Sequence, residues 1–141
     1  MKSVNPYLMF NGNAEEAFTF YQSVFGGDLQ LIRFGDMSEA ANLPEEAKSL
    51  VAHVALPLNG VEQVLMGSDC PPGQTVDVSA RSNFTVCLEL SDTDEARRLF
   101  DALAVGGTVD MHLAKTEWTE LFGMLTDRFS IPWMFDYSSA G

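Results

Sequence analysis

Two stretches of this 141-residue chain follow one plan, and that repetition limits the folds open to it. Residues 13–27 and 92–107 each read as a helix cap, an amphipathic helix and a closing pair of glycines. Glu16-Ala17 corresponds to Glu95-Ala96, and Gly26-Gly27 to Gly106-Gly107 with one residue of slippage. An offset of about eighty residues fits a duplicated half-domain rather than a solenoid. In the first copy Asn13 stands as the cap, with Glu16 three residues on. Ala14, Ala17, Phe18, Tyr21, Val24 and Phe25 then make one apolar stripe. In the second copy Asp92 and Glu95 have the capping spacing, and Ala96, Leu99, Phe100 and Leu103 make the stripe. Glycine suits the left-handed turn that ends such helices.

Short apolar runs surround both helices. Strands are predicted over 6–10, 29–34, 51–58 and 61–66, with Asn59-Gly60 as a hairpin turn. The stretch 36–50 is polar and acidic and predicts a long loop with a short helix starting near Pro44. The second half gives strands over 84–90, 108–113, 121–126 and 131–137, with a loop over 115–120. The expected class is α+β: two tandem βαβββ modules whose curved mixed sheets enclose a cleft. The expected layout is a single domain, 1–141, with module one over about 1–70, a connector over about 67–80 and module two over about 81–141.

Composition narrows the partners. Twenty acidic and eight basic residues leave a net charge of -12. Phosphate backbones need clustered Lys and Arg, so nucleic acid is excluded as a partner, and an anionic membrane surface would repel the chain. No run of eighteen apolar residues occurs, and the start has no basic stretch followed by a long apolar one, so a cytoplasmic location is expected. Cys70 and Cys87 make no disulfide framework. Ten Phe and seven Met suit a core and equally suit the walls of an apolar pocket.

The run Tyr7-Leu8-Met9-Phe10-Asn11-Gly12-Asn13-Ala14-Glu15-Glu16-Ala17-Phe18-Thr19-Phe20-Tyr21 resembles the start of PhnB-like proteins. These belong to the glyoxalase/bleomycin-resistance/dioxygenase (vicinal oxygen chelate) superfamily. Phe25-Gly26-Gly27, Leu65-Met66-Gly67-Ser68-Asp69, Trp118, Phe122-Gly123-Met124-Leu125-Thr126-Asp127-Arg128-Phe129 and Trp133-Met134 resemble its later motifs in the right order. The resemblance implies paired βαβββ modules assembled as homodimers. It implies no single reaction, since the superfamily holds isomerases, dioxygenases, thiol transferases and drug-sequestering proteins.

Catalytic members of that superfamily hold a divalent metal with His and Glu on the first and last strands of the modules. Here those positions fall near Pro6 or Tyr7, Thr85, Leu65 or Met66, and Trp133 or Met134. None offers an imidazole or carboxylate, so no metal and no other cofactor is expected. A lone strand histidine such as His53 is more often structural than a ligand, and His112 stands where relatives have proline. Glu89 sits mid-strand, where a charge needs a partner or solvent. No Gly-x-Ser-x-Gly elbow occurs, and both glycine pairs follow helices instead of preceding them. A quinone-biosynthesis methyltransferase, a label sometimes attached to the family, is set aside for want of a glycine-rich loop after a strand.

What remains is a pocket. Its candidate residues are His53, Met66, Ser68, Asp69, Trp118, Phe122, Met124 and Trp133. Phe122 also suits a core or dimer interface, Asp69 equally suits a turn cap, and Trp118 is favoured for the rim. The expectation is a homodimer that binds a small molecule in an apolar, aromatic-lined pocket, leaning away from catalysis. The acidic 36–50 loop is a candidate lid that would favour cationic or neutral ligands. The alternative is a divalent-metal-dependent lyase, isomerase or dioxygenase.

Overall fold

In a computed structural model the chain is described at residues 1–38, 40–79 and 82–139. Glu39 of the acidic stretch and Ala80-Arg81 at the expected module boundary lie outside the described residues. The chain divides into two compact units, Met1–Asp77 and Val78–Gly141. Each is α+β and holds one four-stranded mixed sheet.

The first unit runs β1 (Tyr7–Phe10), α1 (Ala14–Phe25), β2 (Gln30–Arg33), α2 (Glu45–Lys48), β3 (Val51–Pro57) and β4 (Val64–Asp69). Its sheet order is β1-β4-β3-β2, with β1 parallel to β4 and the other pairs antiparallel. The second unit runs β5 (Val86–Glu89), α3 (Thr93–Ala104), β6 (Thr108–Ala114), β7 (Leu121–Thr126) and β8 (Pro132–Tyr137). Its order, β5-β8-β7-β6, repeats the first, with β5 parallel to β8. The duplication inferred from the sequence is therefore a duplication of topology.

Each helix buries its stripe against one face of its own sheet. Phe18 meets Tyr21 and Phe10 edge-on at centroid distances of 5.4 and 6.0 Å. In the second unit Phe100 meets Phe135 edge-on at 5.2 Å. Burying a side chain of this kind contributes about 1.5–3 kcal/mol. Gly67 lets Phe18 settle on the sheet: a Cβ there would stand 2.8 Å from the Phe18 ring and 2.6 Å from the Leu8 carbonyl oxygen.

The two helix starts differ from each other. Asp92 caps α3 as expected, accepting from Glu95 N at 2.7 Å, while Glu95 Oε1 accepts from Ser91 N. Asn13 makes no such bond. The buried carboxylate of Asp69 replaces it from the end of β4, accepting from Gly12 N and Ala14 N, both at 2.9 Å. A cap from a distant strand leaves no local signal.

Strand bounds shift as well. β4 runs on through Gly67, Ser68 and Asp69, because Leu8, Met9 and Phe10 of β1 pair with them. The 36–50 stretch contains the short helix at Pro44 and is pinned at its base by Phe34 N to Leu50 O and Arg33 Nη1 to Ser49 O.

Asp69→Ala would strand three backbone donors, the third being Val51 N at 2.9 Å. The expected loss is about 3 kcal/mol or more, measured by urea unfolding. A loss below about 1 kcal/mol would contradict the role given to this carboxylate.

Candidate functional site

Strand residues alternate between faces, and register partners share a face. Since Gly67 lies under Phe18 and Asp69 reaches the start of α1, Met66 and Ser68 point to the helix-free face of the first sheet. Tyr7, Met9 and Ala55 join them through the register. His53 alternates onto the same side and lies beside Tyr7, with Nδ1 3.4 Å from the phenol oxygen and the rings 5.8 Å apart. The Ser68 hydroxyl donates to the Met9 sulfur at 3.6 Å.

In the second sheet Phe135 meets α3, so Met134 and Asp136 face away from the helix. The register places two rows across that helix-free face. One contains Ala114, Phe122, Asp136 and Glu89. The other contains Met111, Met124, Met134 and Cys87, three thioethers and a thiol on four adjacent strands. Trp118, 68% exposed in the β6–β7 loop, stands edge-on to Phe122 at 5.4 Å.

The eight sequence candidates thus separate. His53, Met66 and Ser68 gather on the open face of the first sheet, and Trp118, Phe122 and Met124 at that of the second. Asp69 and Trp133 lie on the helix-bearing side of their sheets. Both oxygens of Asp69 are engaged by backbone N–H groups. Trp133, 1% exposed, donates its indole N–H to Asp127 Oδ2 at 2.9 Å. Asp127 Oδ1 also accepts from Phe129 N and Ile131 N, which fixes the β7–β8 turn.

Sequence reasoning missed Asp136 and the sulfur row. The signal for Asp136 was present: an acid at an outward position of a strand that is otherwise apolar. Its Oδ1 is buried and has no hydrogen-bond partner. Cys87 is exposed as a residue, yet partial burial of its thiol pushes the pKa up, and the negative charges of Asp136 and Glu89 push it further. Cys87 is therefore a poor nucleophile.

At the helix starts acidic side chains already hold backbone donors that a phosphate-type ligand would use. Gly12 N and Ala14 N are taken by Asp69, and Glu95 N by Asp92. For a divalent metal, no three His, Cys, Asp or Glu side chains converge among the described residues. The donors do not fit the His-and-Glu site implied for catalytic relatives, since a divalent ion needs several oxygen or imidazole ligands at once. A shallow groove of about 210 Å³, lined by Arg97, Phe100, Asp101, His112 and Leu113, lies on the helix-bearing side of the second sheet.

Cys87 should alkylate more slowly than a free cysteine near pH 8, because a raised pKa leaves less thiolate. Asp136→Asn should speed it by removing one charge. Iodoacetamide kinetics read by mass spectrometry check both; equal rates in the two proteins would contradict the coupling.

Residues 2–135 match the family model described as 3-demethylubiquinone-9 3-methyltransferase. Protein YjdN of Escherichia coli is 32% identical over 94% of this chain and 93% of its own length. The structure of protein PA1353 from Pseudomonas aeruginosa is 37% identical, with a TM-score of 0.85 and 98% of each chain covered. The PhnB protein of Bacillus cereus is 25% identical, with a TM-score of 0.69 over 97% of this chain and all of its own. Solved glyoxalase and fosfomycin-resistance proteins share the fold at identities too low to speak of more than fold. The chain belongs to the PhnB-like family of the glyoxalase superfamily, the family whose model carries the 3-demethylubiquinone-9 3-methyltransferase description.

Proposed function

We propose that this protein binds a small molecule on the aromatic and thioether-lined face of its second unit and holds it without a catalytic divalent metal. One observation supports this above the rest: Trp118 is left 68% exposed in a loop and stacked edge-on against Phe122, beside Met124. A tryptophan in the open with no fold to support costs solvation for no structural return, whereas rigid aromatic area over a polarisable floor is what apolar ligands pack on. His53, Met66 and Ser68 are proposed as lining of a separate surface, the open face of the first unit's own sheet. Asp69 and Trp133, engaged inside their own units, support the walls and are not proposed to touch the ligand. The 36–50 stretch is proposed as a lid on its own unit only.

Methyl transfer, which the family description names, gains no support from the helix starts, where Asp69 holds Gly12 N and Ala14 N and Asp92 holds Glu95 N.

A thermal-shift screen of small aromatic compounds tests the reading, because a ligand bound only by the folded state raises the melting temperature. Trp118→Ala should leave the unliganded protein within about 0.5 kcal/mol of its parent and abolish most of the ligand-induced shift. An unchanged shift would overturn the placement of the site.

The family resemblance supports a homodimer, and cytoplasmic residence fits a chain in which no described helix is long and apolar enough to cross a membrane. Light scattering at micromolar concentration should return twice the mass of one chain, and a monomer would contradict the assembly.

A further inference from the structure

We propose that the sulfur row on the open face of the second unit binds a soft monovalent metal ion of the copper(I) type, with Cys87, Met134 and Met124 as its ligands. This goes beyond the small-molecule reading and does not depend on it, because Trp118 and Phe122 are not among the ligands.

Register brings the donors side by side. Met134 on β8 is paired with Cys87 of β5 on one side and with Met124 of β7 on the other. Neighbouring strands lie about 4.7–4.9 Å apart. Two sulfurs bound to one metal stand about 4 Å apart when each metal–sulfur bond is about 2.3 Å. Long, unbranched methionine side chains close that difference without moving the backbone. Met111 continues the row on β6, next to a register shift, and stands as an outer donor.

The row is open to an ion from solvent. Cys87 is exposed, Met111 is 45% exposed, and Met124 and Met134 are half-buried. Its composition is also odd for a plain apolar floor. Strands favour Val, Ile, Thr and aromatic residues. Yet three of the seven methionines and one of the two cysteines share this one row. What the four have in common is a soft sulfur donor.

Donor chemistry selects the ion. Thiolate and thioether sulfurs suit copper(I), whereas hard divalent ions take carboxylate, carbonyl and water oxygens. No three His, Cys, Asp or Glu side chains converge among the described residues, so zinc and manganese lack a full set. The negative charges of Asp136 and Glu89 act on the Cys87 thiol and favour a cation beside it. On binding, the Cys87 S–H bond breaks and its proton passes to solvent. The electron pair left on sulfur forms the bond to the metal, so no oxidant or reductant is consumed.

Silver(I) nitrate in chloride-free buffer is the probe, since it offers the same soft monovalent charge without redox chemistry. Calorimetry on the full chain should show one tight equivalent that depends on Cys87 and is lost in Cys87→Ser. Methionine-methyl NMR should show the Met134 and Met124 signals moving with silver, while Met37, 49% exposed in the acidic stretch, stays in place. Met134→Leu and Met124→Leu nearly conserve volume and should each weaken silver binding about tenfold or more. If either variant does not fold, the methyl signals of the natural chain decide. Undiminished binding in either leucine variant reduces the site to a lone thiol and overturns it. So do binding that survives Cys87→Ser, a Met37 shift as large as that of Met134, zinc bound as tightly as silver, or no silver bound at all. Trp118→Ala should leave silver binding unchanged, which keeps this test separate from that of the aromatic ligand.

Discussion

The carboxylate of Asp69 ties together more of the first unit than any other polar group. It closes β4, and its two oxygens hold the backbone just before α1, the first turn of α1 and the first residue of β3. Three charge-assisted bonds in a buried site set where the helix begins and how the central strands start. With that junction fixed, Phe18 settles over Gly67, and the helix stripe has its place on the sheet. Any face turned away from the helix is then settled by alternation. The position of His53, Met66 and Ser68 is in that sense a consequence of Asp69.

The second unit reaches the same topology by other bonds. Its helix is capped locally by Asp92, and its buried acid, Asp127, organises the β7–β8 turn and holds Trp133. A duplicated plan has thus kept its hydrophobic periodicity while its polar anchors differ. Apolar burial is non-directional and tolerates exchange, whereas a buried carboxylate is tied to the donors that surround it.

The contrast between Asp69, Asp127 and Asp136 organises the functional reading. The first two acids are saturated by the chain. Asp136 is not, and it stands among Phe122, Glu89, a row of sulfur-bearing residues and the exposed Trp118. The same field makes Cys87 a weak nucleophile, so the surface is suited to holding a ligand more than to attacking one.

The sequence by itself determined the duplication, the helices, the strand count and the family, because hydrophobic period and glycine punctuation are local properties of a chain. It also named Trp118, Phe122 and Met124 as pocket candidates, since aromatic and methionine residues crowded into the final hairpin stand out without knowledge of register. It did not separate Asp69 and Trp133 from the pocket candidates. Both are polar or aromatic residues beside strand ends, and only the sheet's register shows that they face the helix. Nor could it assemble Met111, Met124, Met134 and Cys87 into one row, or seat Asp136 between Phe122 and Glu89. Those neighbours come from four strands in the order β5-β8-β7-β6, and strand pairing is decided by tertiary packing.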